Sequence, residues 1–410
     1  KLMNSAPQKV ETKITRRPLT WPFEQKSAST LRAFLKFAFL AILIVLFVSP
    51  ALESWFAARN HFGTYFFLMA AGLSFVATPF VGSLARRFSV LDFPDARKVH
   101  ASPTPLWGGL AIYGAFVVVT IFNLPFSDRI LGVLIGASLL VLAGVIDDLK
   151  GLPARMRLLN QTIAALIVVE SGISLDIISN EHLSVFIEPI LTVVWIVGLT
   201  NAFNFFDGMD GLAAGIGAIA AFFMALVALQ THQRLLIYFS LTMMGACFGF
   251  LPFNFRWNKA AKIFLGDSGS NLIGFILASL AVMGEWANND SVKAFSIPIL
   301  IFGVLIFDMI YISISRIATK RVRSFNEWIG YVGKDHLHHR LFAMGLSKKQ
   351  CVLFIYFLMI AFGLSAVILK NGRTIDAVLG IIQMASMLTI ISILMKKGGE
   401  MLQISKRTKS

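Results

Sequence analysis

Apolar residues in this chain come in long blocks rather than in strand-like alternation, and most blocks approach the roughly 20 residues a helix needs to cross about 30 Å of hydrocarbon. Short segments rich in Gly, Asp, Asn and basic residues separate them. Twelve spans are predicted: 33–52, 65–85, 106–126, 130–149, 158–173, 189–206, 212–230, 235–253, 271–284, 295–317, 350–369 and 374–395. The runs 158–173 and 271–284 are short. The first of these carries Asn160, Gln161 and Glu170, so one side of it must face protein or water. The prediction is an all-α polytopic membrane protein of about 11–12 transmembrane helices with its chemistry on connecting loops, and no internal repeat is visible.

Composition agrees. The 410 residues are 56% hydrophobic and only 14% charged, with a mean hydropathy of +0.74, too apolar for a soluble fold of this length. The formal charge of +15 could suggest nucleic acid. Parity gives it another meaning. With a cytoplasmic N-terminus, 31 of the 37 basic residues fall on or beside the inner segments 1–32, 86–105, 150–157, 207–211, 254–270, 318–349 and 396–410. Arg59, Arg129, Arg234, Lys293, Lys370 and Arg373 fall outside. That asymmetry is an orientation signal and calls for no nucleic-acid partner. The polar, basic residues 1–32 predict a cytoplasmic tail followed by a retained helix. Cys247 and Cys351 lie in apolar runs and imply neither a disulfide nor a metal framework. His61, His182 and His232 fall on the outer side, and no chemistry is assigned to them.

The unusual polar residues all fall on the inner face. "GVIDDLKGLPARMR" puts Asp147 and Asp148 at the inner end of span four; "NAFNFFDGMDGLAAG" carries Asn201, Asn204, Asp207 and Asp210 at the end of span six; "KIFLGDSGSN" places Asp267 before span nine. "GKDHLHHRL" brings Asp335, His336, His338, His339 and Arg340 into the longest inner loop, and "RKVHASPTPLWGG" brings Arg97, Lys98 and His100 into the first. Each motif has a plainer reading. The Asp pair could be an interfacial, solvated helix end. The 201–215 segment could be a polar turn, and "FLGDSGS" could be a helix cap or a phosphate- or metal-binding loop. Three histidines without a fourth ligand make a poor zinc site and suit phosphate contact better. Five carboxylates facing one way suit a hard cation such as Mg²⁺, which takes one or two carboxylates together with substrate phosphate. Beside basic loops, they suit a nucleotide diphosphate meeting a lipid.

Together, "RKVHASPTPLWGGLAIY", "VIDDLKGLPARMRLLNQ", "NAFNFFDGMDGLAAG", "KIFLGDSGS" and "DHLHHRLFAMGLSKKQ" resemble the polyprenyl-phosphate N-acetylhexosamine-1-phosphate transferases, in the family's order and over about residues 65–395. The resemblance divides the chain into 1–64 (a basic tail and one extra helix), a transferase domain at 65–395, and a basic tail at 396–410. It implies a bacterial inner-membrane enzyme with a cytoplasmic site, and leaves homodimerisation open. The implied reaction is transfer of HexNAc-1-phosphate from a UDP-N-acetylhexosamine, UDP-GlcNAc foremost, to undecaprenyl phosphate with release of UMP. Mg²⁺ is the implied cofactor, with Mn²⁺ able to take its place. Asp267 and Asn204 are then the implied metal ligands, with Asp147, Asp148 and Asp267 as catalytic residues. Asp207, Asp210, Asn254, Phe264, His336, His338, His339, Arg340, Lys98 and His100 are the implied substrate contacts, Phe264 stacking on uracil.

"HLHH" is similar to the branch that starts cell-surface polysaccharides such as O-antigen, teichoic acid or capsule, rather than to the phospho-N-acetylmuramoyl-pentapeptide transferases, which is the alternative. The segment "VRSFNEWIGYVGKDHLHH" is longer before the histidines than that pattern, and "NFRWNKAAKIFLGD" carries a small insertion. A transporter or non-catalytic nucleotide-sugar binder is the rival of another class; a transporter would place its ionisable residues near mid-membrane on broken helices.

The parity argument has a direct check. Single cysteines introduced within 1–30 and 396–410 are expected to resist an impermeant thiol reagent in intact cells, and labelling of either tail would break the orientation.

Overall fold

The structure, a computed structural model, describes residues 50–59, 61–93, 102–178, 180–287, 290–331, 333 and 335–407. The predicted span 33–52 lies almost wholly outside them. From 65–85 onward each predicted span overlaps a helix or, in one case, a helix pair. α1 (Pro50–Ala58) leads into α2 (Phe62–Arg87). A two-residue antiparallel pair follows, β1 (Leu91–Asp92) with β2 (Thr104–Pro105). Then come α3 (Gly108–Asn123), α4 (Asp128–Lys150), α5 (Ala154–Glu170), α6 (Glu181–Phe206), α7 (Leu212–Gln230), α8 (Arg234–Asn254), α9 (Asp267–Met283), α10 (Ser291–Ile301) and α11 (Gly303–Ala318). The short helices α12 (Phe325–Gly330) and α13 (Leu337–Ala343) precede α14 (Lys348–Leu369) and α15 (Thr374–Arg407).

Among the described residues, 7 helices are long and apolar enough to cross a membrane, or 8 if α10 and α11 count as one span. The protein is an all-α polytopic membrane protein. The number falls below twelve for physical reasons. Helices α3 and α9 have only 16 and 17 residues. Helix α9 can be short because it never meets lipid along most of its length: every residue from Ser268 to Val282 is buried, against α3, α4, α6 and α7 among others. Helix α5 has only 17 residues, its apolar run is interrupted by Asn160 and Gln161, and Gln161 is buried against neighbours rather than lipid. The predicted span 295–317 is broken at Phe302 with a bend of 82°. Pro298 lies just upstream, and Gly303 follows, where a side chain would collide with Met384 of α15.

The described residues fall within one compact unit, Leu43–Ser410. Its outer helices keep apolar side chains exposed, among them Val185, Phe186 and Ile190 on α6 and Leu379, Ile382 and Ile390 on α15. In a membrane these meet lipid chains. Inside, small residues let helices approach closely. Gly109 at the start of α3 lies against the backbone of Gly269 on α9 and donates to Leu265 O at 2.9 Å.

Gly109→Ala would drive a methyl group into backbone that cannot swing away. It is expected to destabilise the protein by about 1–3 kcal/mol, read as a lowered unfolding temperature in detergent; an unchanged temperature would contradict this packing.

Candidate functional site

Three helix ends and a loop converge. Asp147 and Asp148 come from the last turn of α4, and Asn204 from the last turn of α6. Asp207 and Asp210 come from the loop between α6 and α7, and Asp267 is the first residue of α9. They line one cavity of about 490 Å³ together with Asn254, Phe264, Arg157, His339 and Lys348. A second cavity of about 390 Å³, at the other ends of α4 and α9, is lined by Arg129, Trp195 and Trp286 and holds none of these residues.

The carboxylates are individually placed. Asp148 accepts from Asp267 N at 3.0 Å and from Ser268 Oγ at 3.1 Å, so a side chain of α4 caps the N-terminus of α9. Gly266, just before that helix, has φ +76°, and a Cβ there would lie 2.7 Å from Asp148 Oδ2. Asp147 accepts from Leu152 N at 2.6 Å and pairs with Arg157 Nε at 2.6 Å. Asn204 donates to Asp267 Oδ1 at 2.7 Å and to Ser270 Oγ at 3.0 Å. Asn271 on α9 donates to Asp267 O at 2.7 Å and accepts from Gln161, which in turn accepts from Asn201 at 2.6 Å. A ladder of three carboxamides thereby ties α5, α6 and α9 together beneath the cavity.

The loop 207–211 is held as firmly. Gly211 has φ +83°; its N donates to Asn254 Oδ1 at 2.6 Å and its O accepts from Tyr356 Oη at 2.5 Å. Asn254 donates onward to Ile263 O at 3.0 Å, so both ends of its side chain are engaged. Asp210 accepts from Ala261 N at 3.2 Å. The carboxyl of Asp207 is pushed well above the usual carboxylate range, first by desolvation in the crowded site and then by the Asp267, Asp148 and Asp210 charges.

The histidine segment departs from expectation. Of His336, His338, His339 and Arg340, only His339 lines the cavity. His336 Nδ1 contacts Asp308 Oδ2 at 3.0 Å, and Arg340 Nη2 donates to Asp308 Oδ1 at 3.3 Å with its guanidinium 4.2 Å from the Tyr311 ring centre. His338 is fully buried beside the Phe206 ring and beneath Gly208. Burial, and secondarily the neighbouring His339 and His336, lower its pKa well below the usual imidazole range. Lys98 and His100 lie outside the described residues. Sequence reasoning missed Arg157, Lys348 and, above all, Asp308. The signal for Asp308 was a lone carboxylate in the apolar run "GVLIFDMIYISIS".

Asn254→Ala would strand the buried Gly211 N–H and Ile263 C=O. An expected loss of about 1–3 kcal/mol in stability would appear in thermal unfolding; a variant as stable as wild type would remove Asn254 from the loop's support.

Comparison with known proteins now bears on this geometry. The family model described as glycosyl transferase family 4 matches residues 130–285, which span α4 to the end of α9. The chain is 38% identical over 306 residues to a probable undecaprenyl-phosphate N-acetylglucosaminyl 1-phosphate transferase of Bacillus subtilis, covering 72% of this chain and 82% of that one. It is 34% identical over 361 residues to the decaprenyl-phosphate N-acetylglucosaminephosphotransferase of Mycobacterium tuberculosis (strain H37Rv), covering 80% and 88%. It is 29% identical over 327 residues to a phospho-N-acetylmuramoyl-pentapeptide-transferase of Halalkalibacterium halodurans, covering 74% and 95%. With the helix ends, the carboxylate cavity and relatives matched over most of their length, this chain belongs to glycosyl transferase family 4, the polyprenyl-phosphate N-acetylhexosamine-1-phosphate transferases.

Proposed function

We propose that the protein transfers HexNAc-1-phosphate, GlcNAc-1-phosphate foremost, from a UDP-sugar to undecaprenyl phosphate in the bacterial inner membrane, with its site facing the cytoplasm. One observation carries the reading: carboxylates from two helix ends and a loop, with Asn204 from a third helix end, line a single cavity that Arg157, His339 and Lys348 also line. The acidic side suits a cation. The basic side suits the phosphates that come with it. The names of the Bacillus and Mycobacterium relatives support N-acetylglucosamine, and their higher identity favours it over the muramoyl-pentapeptide alternative.

The residues fit Mg²⁺. All the acidic donors are oxygens, and desolvation, with the charges of Asp267, Asp148 and Asp210 behind it, pushes the Asp207 carboxyl above its usual range, a repulsion that a divalent cation would relieve. Asp267 would be the first ligand, oriented by Asn204, whose Oδ1 stays available while its amide donates to Asp267. When bound, Mg²⁺ would neutralise the diphosphate and favour departure of UMP.

The protein's own groups do the rest. Phe264 offers a ring at the cavity wall for the uracil, and His339 and Lys348 offer donors to the diphosphate. An oxygen of the lipid phosphate attacks the sugar-bearing phosphorus in line as its bond to the UMP oxygen breaks. That phosphate, with a second pKa of about 6, needs no base at neutral pH. Asp147 is engaged by Arg157 and Leu152, and Asp148 by the cap of α9, which favours direct displacement over an aspartyl-phosphate. Their roles are then to hold Arg157 and Asp267 beside the arriving lipid head group.

The transport reading has one observation in its favour, a broken helix carrying a buried Asp308. That carboxylate is closed off by protein donors, which is unlike an ion pathway.

The test is UMP release from purified protein given undecaprenyl phosphate, Mg²⁺ and a panel of UDP-sugars. Wild type should release UMP with UDP-GlcNAc. Asp267→Ala should lose about 100-fold or more in kcat while remaining folded and inserted. Binding without turnover would leave a nucleotide-sugar sensor instead, and near-normal activity of the variant at limiting Mg²⁺ would take Asp267 out of the metal site.

A further inference from the structure

Asp308 is 0% exposed in the middle of α11, and its carboxylate receives three donors from α13 or the residue before it: His336 Nδ1 at 3.0 Å, Leu337 N at 2.9 Å and Arg340 Nη2 at 3.3 Å. Two turns further on, Arg316 is also buried and grips Asp335 through two bonds of 2.7 and 2.8 Å. Between them Tyr311 lies against the Arg340 guanidinium. One face of α11 therefore clamps the segment 335–340 at every turn. A buried ion pair contributes little net stability compared with apolar packing of the same volume, and its best-attested use is to fix a register. Here the register has a visible consequence. It sends His339 to the cavity, and it seats His338 under Gly208, in the loop that bears Asp207 and Asp210.

We propose that Asp308 and His336 are positioning residues of the transfer reaction: they lock α13 in the one register that presents His339 to the substrate, and neither touches substrate itself. The kinetic part rests on the transferase reading; the register does not. Any other turn of α13 would leave the buried Asp308 carboxylate without its donors, so the clamp selects one arrangement. His336 is the ring closest to Asp308, and its Nδ1 position is one that an asparagine amide can mimic.

The experiment is a double-mutant cycle on UMP release, paired with a labelling readout independent of turnover. Asp308→Asn should lower kcat/KM for the UDP-sugar by up to about 100-fold, mainly through KM of the donor, with KM of the lipid acceptor unchanged. In a His339→Ala background the same substitution should cost about twofold or less, because its effect passes through His339. His336→Asn should keep most of the activity that His336→Ala loses. That rescue also decides the question if Asp308→Asn does not fold. In parallel, His338→Cys should resist a hydrophilic maleimide when Asp308 is present and react when it is Asn; Cys247 and Cys351 are buried and give a low background. Independent, multiplicative losses in the cycle, or no rescue by Asn, would overturn the positioning role. Equal protection of the introduced thiol in both backgrounds would overturn the register. Should wild type release no UMP from any donor, the transferase reading falls, and the labelling result still decides whether Asp308 locks α13.

Discussion

The site depends on one bond pair, the capping of α9 by Asp148. A helix that starts inside a membrane protein has backbone N–H groups that neither lipid nor its own turns can satisfy. Here the acceptor is a carboxylate from the end of another helix, and it brings negative charge to the positive end of the helix dipole. The same bond therefore satisfies a donor, joins α4 to α9 and fixes where Asp267 stands. Close approach is its precondition, and the missing side chains of Gly266 and Gly144 supply it: a Cβ on either would meet Asp148 or the backbone of Ser268. Once α9 is fixed, Asn204 bonds the Asp267 carboxylate from α6, while Asn271, one turn along α9, bonds the Asp267 backbone carbonyl.

A wall of like charges costs folding energy, and a chain optimised only for stability would dilute it. This one spreads the cost unevenly. Asp147 has Arg157, Asp148 has the helix end, and Asp210 has a backbone N–H. Asp207 is left with repulsion and desolvation. The uneven distribution matters chemically, because a carboxylate already satisfied by protein has less to offer a ligand than one that is not. That repulsion falls on Asp207, in the α6–α7 loop, where an added positive charge would relieve it.

How much of this was legible in the sequence follows from the range of the forces involved. Span length and the bias of basic residues act locally, so eleven of the twelve predicted spans have helical counterparts here, while 33–52 falls almost wholly outside the described residues. Acidic residues stand out against an apolar background, so Asp147, Asp148, Asp207, Asp210 and Asp267 could be named and are found around one cavity. Partner choice could not be read. Asp148 and Asp267 are 119 positions apart, and nothing in either motif names the other. The same holds for His336 and Arg340. Their residue types suggested phosphate contact, but the structure gives them to Asp308, 28 and 32 positions earlier. The break at Phe302 was hidden as well, because "SIPILIFGVLIFD" reads as one continuous apolar run; a Pro followed by a Gly within it was the available clue.

That break and that buried carboxylate belong together. Helix α10 packs on α14 and α15, whereas α11 packs on α6 and α14. The 82° turn between them keeps α14 as a shared neighbour and brings α11 beside α6. There α11 offers Asp308 and Arg316 to the segment 335–340. The segment is polar, lies between two apolar helices and has little hydrophobic surface of its own to hold it, so charge-assisted hydrogen bonds replace hydrophobic burial as its anchor. Such bonds are directional where burial is not. A loop that must deliver one imidazole of three to a cavity, and bury another beneath the neighbouring loop, needs direction more than it needs adhesion, and a carboxylate buried on α11 supplies it.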